Sequence, residues 1–504
     1  MKVKRLHLQN YGRFEDLKID FAPTTEKTGN VTVIVGNNGA GKSQILQALA
    51  TSLSWFVGSL KTGEITGSKI DLKLIKNDKT EASIKVITDH QKDNKSDVSK
   101  SQFSFVQWQL SNVRDGRVEQ LGNNFSQLNG LVKRYRNKLT HVENFALPLL
   151  VLYPVERAVL QYVAADTVSY GYDQLKGYYG SLDGASIDFS DFLSWFRNAE
   201  DIENEANIKN IGLDKYSYNE KKKEIDNEIS KLETMIEKED NENNKIELLK
   251  TLLKRYSESI KMADLYMSEI DLSRNLLIRS IPLLATKEAI EDFTCFQNPH
   301  IRRQDTPTMI VEKDGEELDV NQLSQGEKSL LALVGDIARR LATLNPSLDN
   351  PLEGEGVVMI DEVDLHLHPK WQHDLIDKLV KTFPNVQFIL TTHSPHVISD
   401  RNDILLYSLD DNELTEMPNV YGEDANTVLT KIFDVDIRDS DVEEQFTIIR
   451  RAISKHDYVT AENCITELAE KLPSDHLELL KCRLLLAQAR LANSNTHEPS
   501  HAKD

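Results

Sequence analysis

The chain has 504 residues, 39% of them hydrophobic and 28% charged, with a net charge of −20 and a pI of about 5.2. That length holds two or three packed units, and no apolar run approaches the roughly 20 residues that cross a bilayer, which excludes a helical membrane protein. The acidity excludes a chain that coats duplex nucleic acid unaided, since such affinity comes from Lys and Arg displacing counterions; it suits a basic protein partner instead.

The opening MKVKRLHLQNYGRF lacks the apolar core and cleavage site of a leader and is read as a first strand, residues 3–8, with a second at 17–21. Between them Asn10-Tyr11-Gly12-Arg13-Phe14 forms a turn whose guanidinium could stack on a base, meet a phosphate, or simply face solvent. Residues 31–35 (VTVIV) spell a buried strand. Gly36-Asn37-Asn38-Gly39-Ala40-Gly41-Lys42-Ser43 then matches GxxxxGK[ST] at every position, and Ile45, Leu46 and Leu49 continue at helical spacing. Strand, glycine-rich loop and helix in that order make a phosphate cradle. The glycines let successive N–H groups turn inward, and the helix N-terminus adds its positive end. Lys42 is placed for the β- and γ-phosphates of ATP, and Ser43 for Mg²⁺.

Residues 69–75, 83–88 and 103–110 alternate like antiparallel strands, a sheet laid beside the nucleotide core. Residues 145–153 (FALPLLVLY) form a nearly continuous apolar run, as in a strand buried on both faces. Glu156 and Arg157, just beyond it, face the ligand crevice of an open α/β sheet or form a surface ion pair. Residues 186–206 are amphipathic, with Phe189, Phe192, Trp195 and Phe196 on one core-facing stripe. From 216 to 272 the chain is charged and helical. Ile225, Ile229, Leu232 and Ile236, then Ile246, Leu249, Leu253, Tyr256 and Ile260, hold a/d positions on either side of an apolar-free stretch, 237–245. Two short helices folded back as an antiparallel hairpin fit this better than a long arm. The helical pattern runs on through 264–296, and residues 308–311 and 317–320 bracket a hairpin turn at Asp314-Gly315.

Asn321-Gln322-Leu323-Ser324-Gln325-Gly326-Glu327-Lys328 opens a helix at 329–341. A hydroxyl, a glycine N–H and a helix N-terminus converge there on a second phosphate site. One chain rarely needs two γ-phosphate cradles, so this one is read as facing the nucleotide of a second copy. Residues 357–360 (VVMI) deliver Asp361, suited to Mg²⁺, and Glu362, suited to polarising the attacking water as general base. Residues 386–390 deliver Thr391-Thr392-His393-Ser394-Pro395, with His393 placed to contact the γ-phosphate. His366, His368 and His373 invite a zinc reading, but no further ligand cluster accompanies them, and a loop at a dimer interface is preferred.

GNNGAGKS, LSQGEK, VVMIDEVDLHLHP and TTHSP, in that order, resemble the ABC-type ATPase heads of the SMC, RecF and OLD group. The resemblance implies an α/β fold: a P-loop NTPase head with an inserted helical, short coiled-coil subdomain and a C-terminal helical tail. It implies ATP and Mg²⁺ as cofactors and head-to-head pairing of two copies. By it, Gly36, Asn37, Asn38, Gly39, Ala40, Gly41, Lys42 and Ser43 are the Walker A loop, and Ser324, Gln325, Gly326 and Glu327 the signature. Asp361 and Glu362 are the Walker B pair, residues 364–366 the D-loop, His393 the switch histidine, and Arg13 an adenine-side arginine. LSQGEK departs from the transporters' LSGGQ, which disfavours that branch. No Q-loop glutamine stands out, although its place falls after Tyr153.

A narrower similarity rests on LPLLVLYPVERA, DFSDFLSWFRNAEDIENE, VEKDGEELDVNQLSQGEKSLLALVGDIARRLA and YGEDANTVLTKIFDVDIRD. These resemble the PtuA-like ATPases of Septu and retron antiviral systems. That implies a cytoplasmic, multimeric ATPase which restrains or releases a PtuB-like HNH endonuclease according to nucleotide state. A reverse transcriptase and retron nucleic acid join it where the system is a retron. The implied division is a head in two parts, 1–184 and 301–423, a helical insertion at 185–300, partner-binding or assembly helices at 424–492, and a disordered end at 493–504. OLD proteins carry a nuclease domain after the head. Here 424–492 reads as helical, and Asp434-Val435-Asp436 lacks the strands such a domain requires, so no nuclease site is expected in this chain. Cys295, Cys464 and Cys482 are scattered and read as ordinary thiols of a reducing compartment. The alternative is a RecF-like DNA-binding repair ATPase, using the basic stretch 133–138 together with Arg302 and Arg303.

Overall fold

The structure, a computed structural model, describes every residue except 92–102, 118–119, 143, 156–173, 184–188, 276–279, 305–306, 400, 434–439, 474–475 and 496–504. Its contacts divide the chain into two units, Met1–Tyr421 and Gly422–Asp504.

The first unit begins with β1 (Lys2–Tyr11) and β2 (Phe14–Asp20), an antiparallel pair turning through Asn10 and Gly12, both at positive φ. β3 (Val31–Val35) leads into α1 (Lys42–Thr62). β4 (Glu81–Gln91) and β5 (Phe103–Val113) complete an antiparallel sheet of order β2-β1-β4-β5. The strand expected at 69–75 is absent. Asp71 accepts from the Lys73 N–H and closes a single 3₁₀ turn, Leu72–Leu74, and only Ile75 bridges to Tyr11. A side-chain cap at that point competes with the ladder.

After α2 (Ser126–His141) comes β6 (Leu149–Tyr153). Together with β10 (Gly356–Ile360), β11 (Val386–Thr391), β12 (Leu405–Asp410) and the edge strand β13 (Glu413–Glu416), it builds the second sheet, of order β13-β12-β3-β11-β10-β6. All its pairings are parallel except β12 with β13. Every residue of β3, β6, β10 and β11 is buried, which is why these segments read as unbroken apolar runs. Gln387 is the one amide among them. Its amide donates to the carbonyls of Val3 (2.8 Å) and Ala22 (2.6 Å), and its oxygen accepts from the Val3 N–H (2.7 Å). The irregularity between Val3 and Arg5 in the β1–β4 register lies at this junction, so Val3's backbone is spent on Gln387, and one buried amide stitches the two sheets.

The insertion comprises α3 (Phe189–Lys238) and α4 (Glu242–Asn275), 50 and 34 residues long. The hairpin is therefore long, roughly 50 Å along α4 at 1.5 Å per residue, not the short pair expected. α3 turns the expected residues inward, with Ile229 buried and Ile225, Leu232 and Ile236 half-buried. α4 does not: Ile246, Leu249, Leu253, Tyr256 and Ile260 are all exposed, while Leu248, Leu252 and Arg255 are the half-buried set. Arg255 Nε meets Glu228 at 3.0 Å, and the Tyr256 hydroxyl donates to Glu233. Phe192 and Phe196, at the root of α3, are buried against α5 (Ile281–Thr294) and the three-stranded sheet of β7 (Gln297–Arg302), β8 (Thr308–Lys313) and β9 (Glu316–Asp319). Asp314-Gly315 is the turn of the β8–β9 hairpin, both residues at positive φ. Behind this sheet runs α6 (Gln325–Leu344). The short helices α7 (Pro369–His373), α8 (Leu375–Thr382) and α9 (Pro395–Ile398) flank β11 in the sequence.

The second unit is helical: α10 (Ala425–Ile432), α11 (Ser440–Ser454), α12 (Tyr458–Lys471) and α13 (Leu477–Asn495). Among the described residues no helix is long and apolar enough to cross a membrane.

Candidate functional site

β3 sits between β11 and β12, and at its end the chain turns into the glycine loop. Gly36 (φ 148°) lies against β12, where an added Cβ would stand 2.2 Å from the Leu409 carbonyl oxygen. Gly41 (φ 107°) is backed by the Phe14 ring, 2.7 Å from such a Cβ. Both positions therefore require glycine, for the backbone angle and for the close approach. The rim, 37–39, is exposed, and α1 begins with no side-chain cap, so its first N–H groups are open to an anion.

Lys42 is buried. Its Nζ donates to the carbonyls of Gly36 (2.8 Å) and Asn37 (3.2 Å) and lies 2.8 Å from His393 Nε2. An ammonium has only donors, so the imidazole accepts through Nε2 and is neutral. Burial pushes the Lys42 ammonium below the ordinary lysine range, against the pull of Asp361, Glu362, Asp410 and Asp364. Burial, then Lys42 itself, holds His393 below its ordinary value.

β10 and β11, adjacent and parallel, end together. The Asp361 N–H donates to the Tyr153 carbonyl at 2.9 Å, and its carboxylate accepts from the Thr391 hydroxyl. The same hydroxyl oxygen accepts from the Glu362 N–H at 2.7 Å. Glu362 sits at φ 45°, uncommon for a residue with a Cβ. Thr392 donates to Asp364, the Ser394 N–H donates to Thr392, and the Ser394 hydroxyl donates to Gln372 at 2.8 Å. His393 is thus fixed between two hydroxyl residues, one bonded to the loop after β10 and the other to α7.

Arg13 reaches the same place: its guanidinium donates to the Gly39 carbonyl, and its N–H donates to Gln44 Oε1. Ser43 is exposed beside the loop. The sequence reading missed Thr391, Thr392, Gln372 and Asp410, whose carboxylate accepts from the Asn37 amide at 3.3 Å. A signal existed for the last: Asp410 ends the strand beside β3.

Ser324 to Glu327 form a separate cluster. Ser324 caps α6 in a capping box with Glu327. Glu327 is buried and pairs with Lys313 at 2.6 Å. Burial alone would raise its carboxyl, but Lys313 and Ser324 hold it below the usual range. An added Cβ at Gly326 would stand 2.5 Å from the His366 carbonyl oxygen, so the motif packs on the loop that follows β10. Ser324 and Gln325 are exposed. Ser324 bonds to Glu327, and Glu327 to Lys313, whereas the Lys42 ammonium bonds to Gly36, Asn37 and His393.

His368 accepts from the Lys370 N–H as the cap of α7, and the rings of His373 and His396 lie 4.5 Å apart. Among the described residues no group of three or more His, Cys, Asp or Glu is arranged to hold a metal, so the zinc reading is set aside. Glu156, Arg157, Asp434 and Asp436 lie outside the described residues.

A parallel sheet whose inner strand ends in GxxxxGKS, beside strand ends bearing an Asp–Glu pair and a histidine, defines a P-loop ATPase. The donor set fits nucleotide: glycines without Cβ, an uncapped helix start and a desolvated ammonium suit a phosphate chain. The oxygens of Ser43 and Asp361 suit a hard divalent cation. The family described as "AAA ATPase domain" matches residues 1–398. The chain is 32% identical over 480 residues to "Retron Ec83 probable ATPase" of Escherichia coli, covering 94% of this chain and 82% of that one. It is 31% identical over 141 residues to "Septu protein PtuA" of Bacillus thuringiensis, covering 26% of this chain and 36% of the relative. The solved SMC head domain with an extended coiled coil from Pyrococcus furiosus is similar at 16% identity and a TM-score of 0.36, over 83% of this chain and 96% of that one. The chain therefore belongs to the AAA ATPase domain family, as an ATPase of the retron kind.

Proposed function

We propose that this ATPase is the regulatory subunit of an antiviral defence complex of the Septu or retron type, controlling a partner HNH endonuclease through ATP-dependent pairing of its heads. The observation that carries this reading is the division of the phosphate-binding groups. Lys42, Asp361, Glu362 and His393 gather at one loop, while Ser324 and Gln325 stand exposed at the start of α6 with hydrogen bonds of their own. Two copies, each offering its Ser324 to the other's Lys42 loop, complete two sites at once, as a self-complementary pair of patches must.

In this reading the loop N–H groups and Lys42 hold the phosphates, and Arg13 lies at the adenine side. Ser43 and Asp361 hold Mg²⁺, which when bound draws charge from the phosphate oxygens and orients them. Glu362 takes the proton of the attacking water. Lys42 turns from His393 to the phosphates. The released imidazole, still neutral and with its proton on Nε2 instead of Nδ1, then donates to the γ-phosphate, so it reports whether that phosphate is present. In a retron setting a reverse transcriptase and retron nucleic acid join the complex.

The repair reading has less support. Arg302 pairs with Glu317, Arg303 with Glu200 and Asp201, Arg136 donates to the Leu60 carbonyl, and Lys138 covers the Phe145 ring. Four of the six basic residues it needs are thus engaged within the fold, while Lys133 and Arg134 are exposed.

Glu362→Gln tests the proposal. It should keep ATP bound, cut turnover by about 10²-fold or more, and accumulate a larger species by light scattering. Unchanged turnover removes Glu362 as the base, and a monomer in ATP removes head pairing. ATP-dependent co-purification of an HNH protein encoded beside this chain tests the partner.

A further inference from the structure

The tail unit carries a surface that its own core does not use. α11, α12 and α13 pack around Phe446, Ile449, Ala461, Ile465, Leu479 and Cys482, and α13 buries Leu479, Cys482 and Leu486 on that side. The other side of α13 is apolar as well. Leu477, Leu480, Leu484, Ala487 and Leu491 step by 3, 4, 3 and 4, the spacing of a coiled-coil seam. The four leucines are 66%, 44%, 59% and 66% exposed. Single exposed leucines need no account. A full seam on a helix already buried along its opposite side is a surface built to be covered a second time.

The flanks of the seam say what covers it. Lys481 and Gln488 lie along one edge, Arg483 and Arg490 along the other, the e and g positions that choose a coiled-coil partner. Lys481 and Arg490 meet Glu478 and Glu462 in exposed pairs of the weak, exchangeable kind. A second copy of α13 finds no complement there. Aligned parallel, Arg483 meets Gln488 and Lys481 meets His476; aligned antiparallel, Arg483 meets Arg490. Residues 496–504 (THEPSHAKD) hold no large apolar side chain with which to fill the seam.

We propose that this face of α13 docks an amphipathic helix with acidic flanks, presented by a partner protein. The inference deepens the regulatory reading, on which it rests for the existence of a partner. The test uses the full chain and two labelled synthetic helices of four heptads, both with Leu at a and d, one with Glu and the other with Lys at e and g. By fluorescence anisotropy the Glu helix should bind about tenfold more tightly or better, with the advantage shrinking as salt rises. Leu480→Glu with Leu484→Glu, both outside the tail core, should abolish that binding. Lys481→Glu with Arg483→Glu should invert the preference towards the Lys helix. Equal binding of the two helices, or binding that survives the leucine pair of substitutions, overturns the proposal. So does a concentration-dependent dimer of the chain that those substitutions dissolve, which assigns the seam to a second copy. ATP turnover measured on the same samples separates the two readings. Normal turnover without the helix preference sinks the docking seam alone, whereas the preference without any turnover sinks the regulatory ATPase and leaves the seam.

Discussion

Lys42 has its ammonium out of water, held by two carbonyls and an imidazole, with carboxylates at the ends of two strands, β10 and β12, pulling on it. A charge held this way is available to phosphate without a further desolvation cost. Lys42→Ala should therefore abolish nucleotide binding rather than weaken it slightly; a fluorescent ATP analogue retained at wild-type affinity removes the loop from the site. Lys42, Ser43, Asp361, Glu362 and His393 were legible because each stands in a short linear pattern beside a strand or helix that the pattern itself requires. Asp410 and Asn37 meet across 373 residues, and Thr391 ties two strand ends. Hydrogen bonds across a sheet leave no local period, so these pairings could not be read from the chain even where the residues themselves stood in a motif or at a strand end.

At the scale of elements, strands buried on both faces announce themselves as apolar runs, and β3, β6, β10 and β11 were readable for that reason. Residues 69–75 misled because alternation over seven residues fits a capped turn as well as a strand. α4 misled differently: it carries two near-heptad sets one position apart, and the more apolar one faces outward. Leu252→Asp should then destabilise the α3–α4 hairpin by about 1–2 kcal/mol, while Leu253→Asp stays within about 0.5 kcal/mol. Thermal melts followed by circular dichroism decide, and the reverse order restores the phase expected from sequence. Gln387 is the other element-scale joint. Gln387→Leu leaves the Val3 N–H and the Val3 and Ala22 carbonyls without their partner, at about 1–3 kcal/mol for each buried group. A fall of at least about 3 kcal/mol in unfolding free energy is expected from denaturant midpoints; no change means the two sheets are held elsewhere.

For the whole molecule, His90 sets an acid limit. It is buried between the sheet and α2, and burial, with the N-terminal ammonium and Arg134 adding to it, holds its imidazole down to about 3. The folded chain keeps it neutral while the unfolded chain protonates it below about 6.5. Its contribution is therefore whole above that pH and is lost as pH falls towards 3, at up to about 1.4 kcal/mol per pH unit. His90→Gln should flatten the stability profile between about pH 6 and 4, the middle of the window those two values define; an unchanged profile assigns acid sensitivity to other groups. The division after Tyr421 falls two residues before the boundary drawn between 423 and 424 from the sequence. The long arms were hidden, because the charged stretches that extend them resemble solvated loops in any count of apolar residues.

β11 is only six residues long, and it bears the amide clamp near one end and the Thr391 junction at the other. From the clamp, β1 runs from Val3 to the Arg13 turn, which rests on the loop rim at Gly39. Strand, clamp, strand and turn thus form a closed frame with two jaws, Arg13 on one side and His393 on the other. The distance between the jaws is set by covalent and hydrogen-bonded segments rather than by whatever lies between them. Under the function proposed above, such a caliper would gauge the length of what it grips, so that a nucleotide one phosphate shorter would leave one jaw untouched instead of drawing both together.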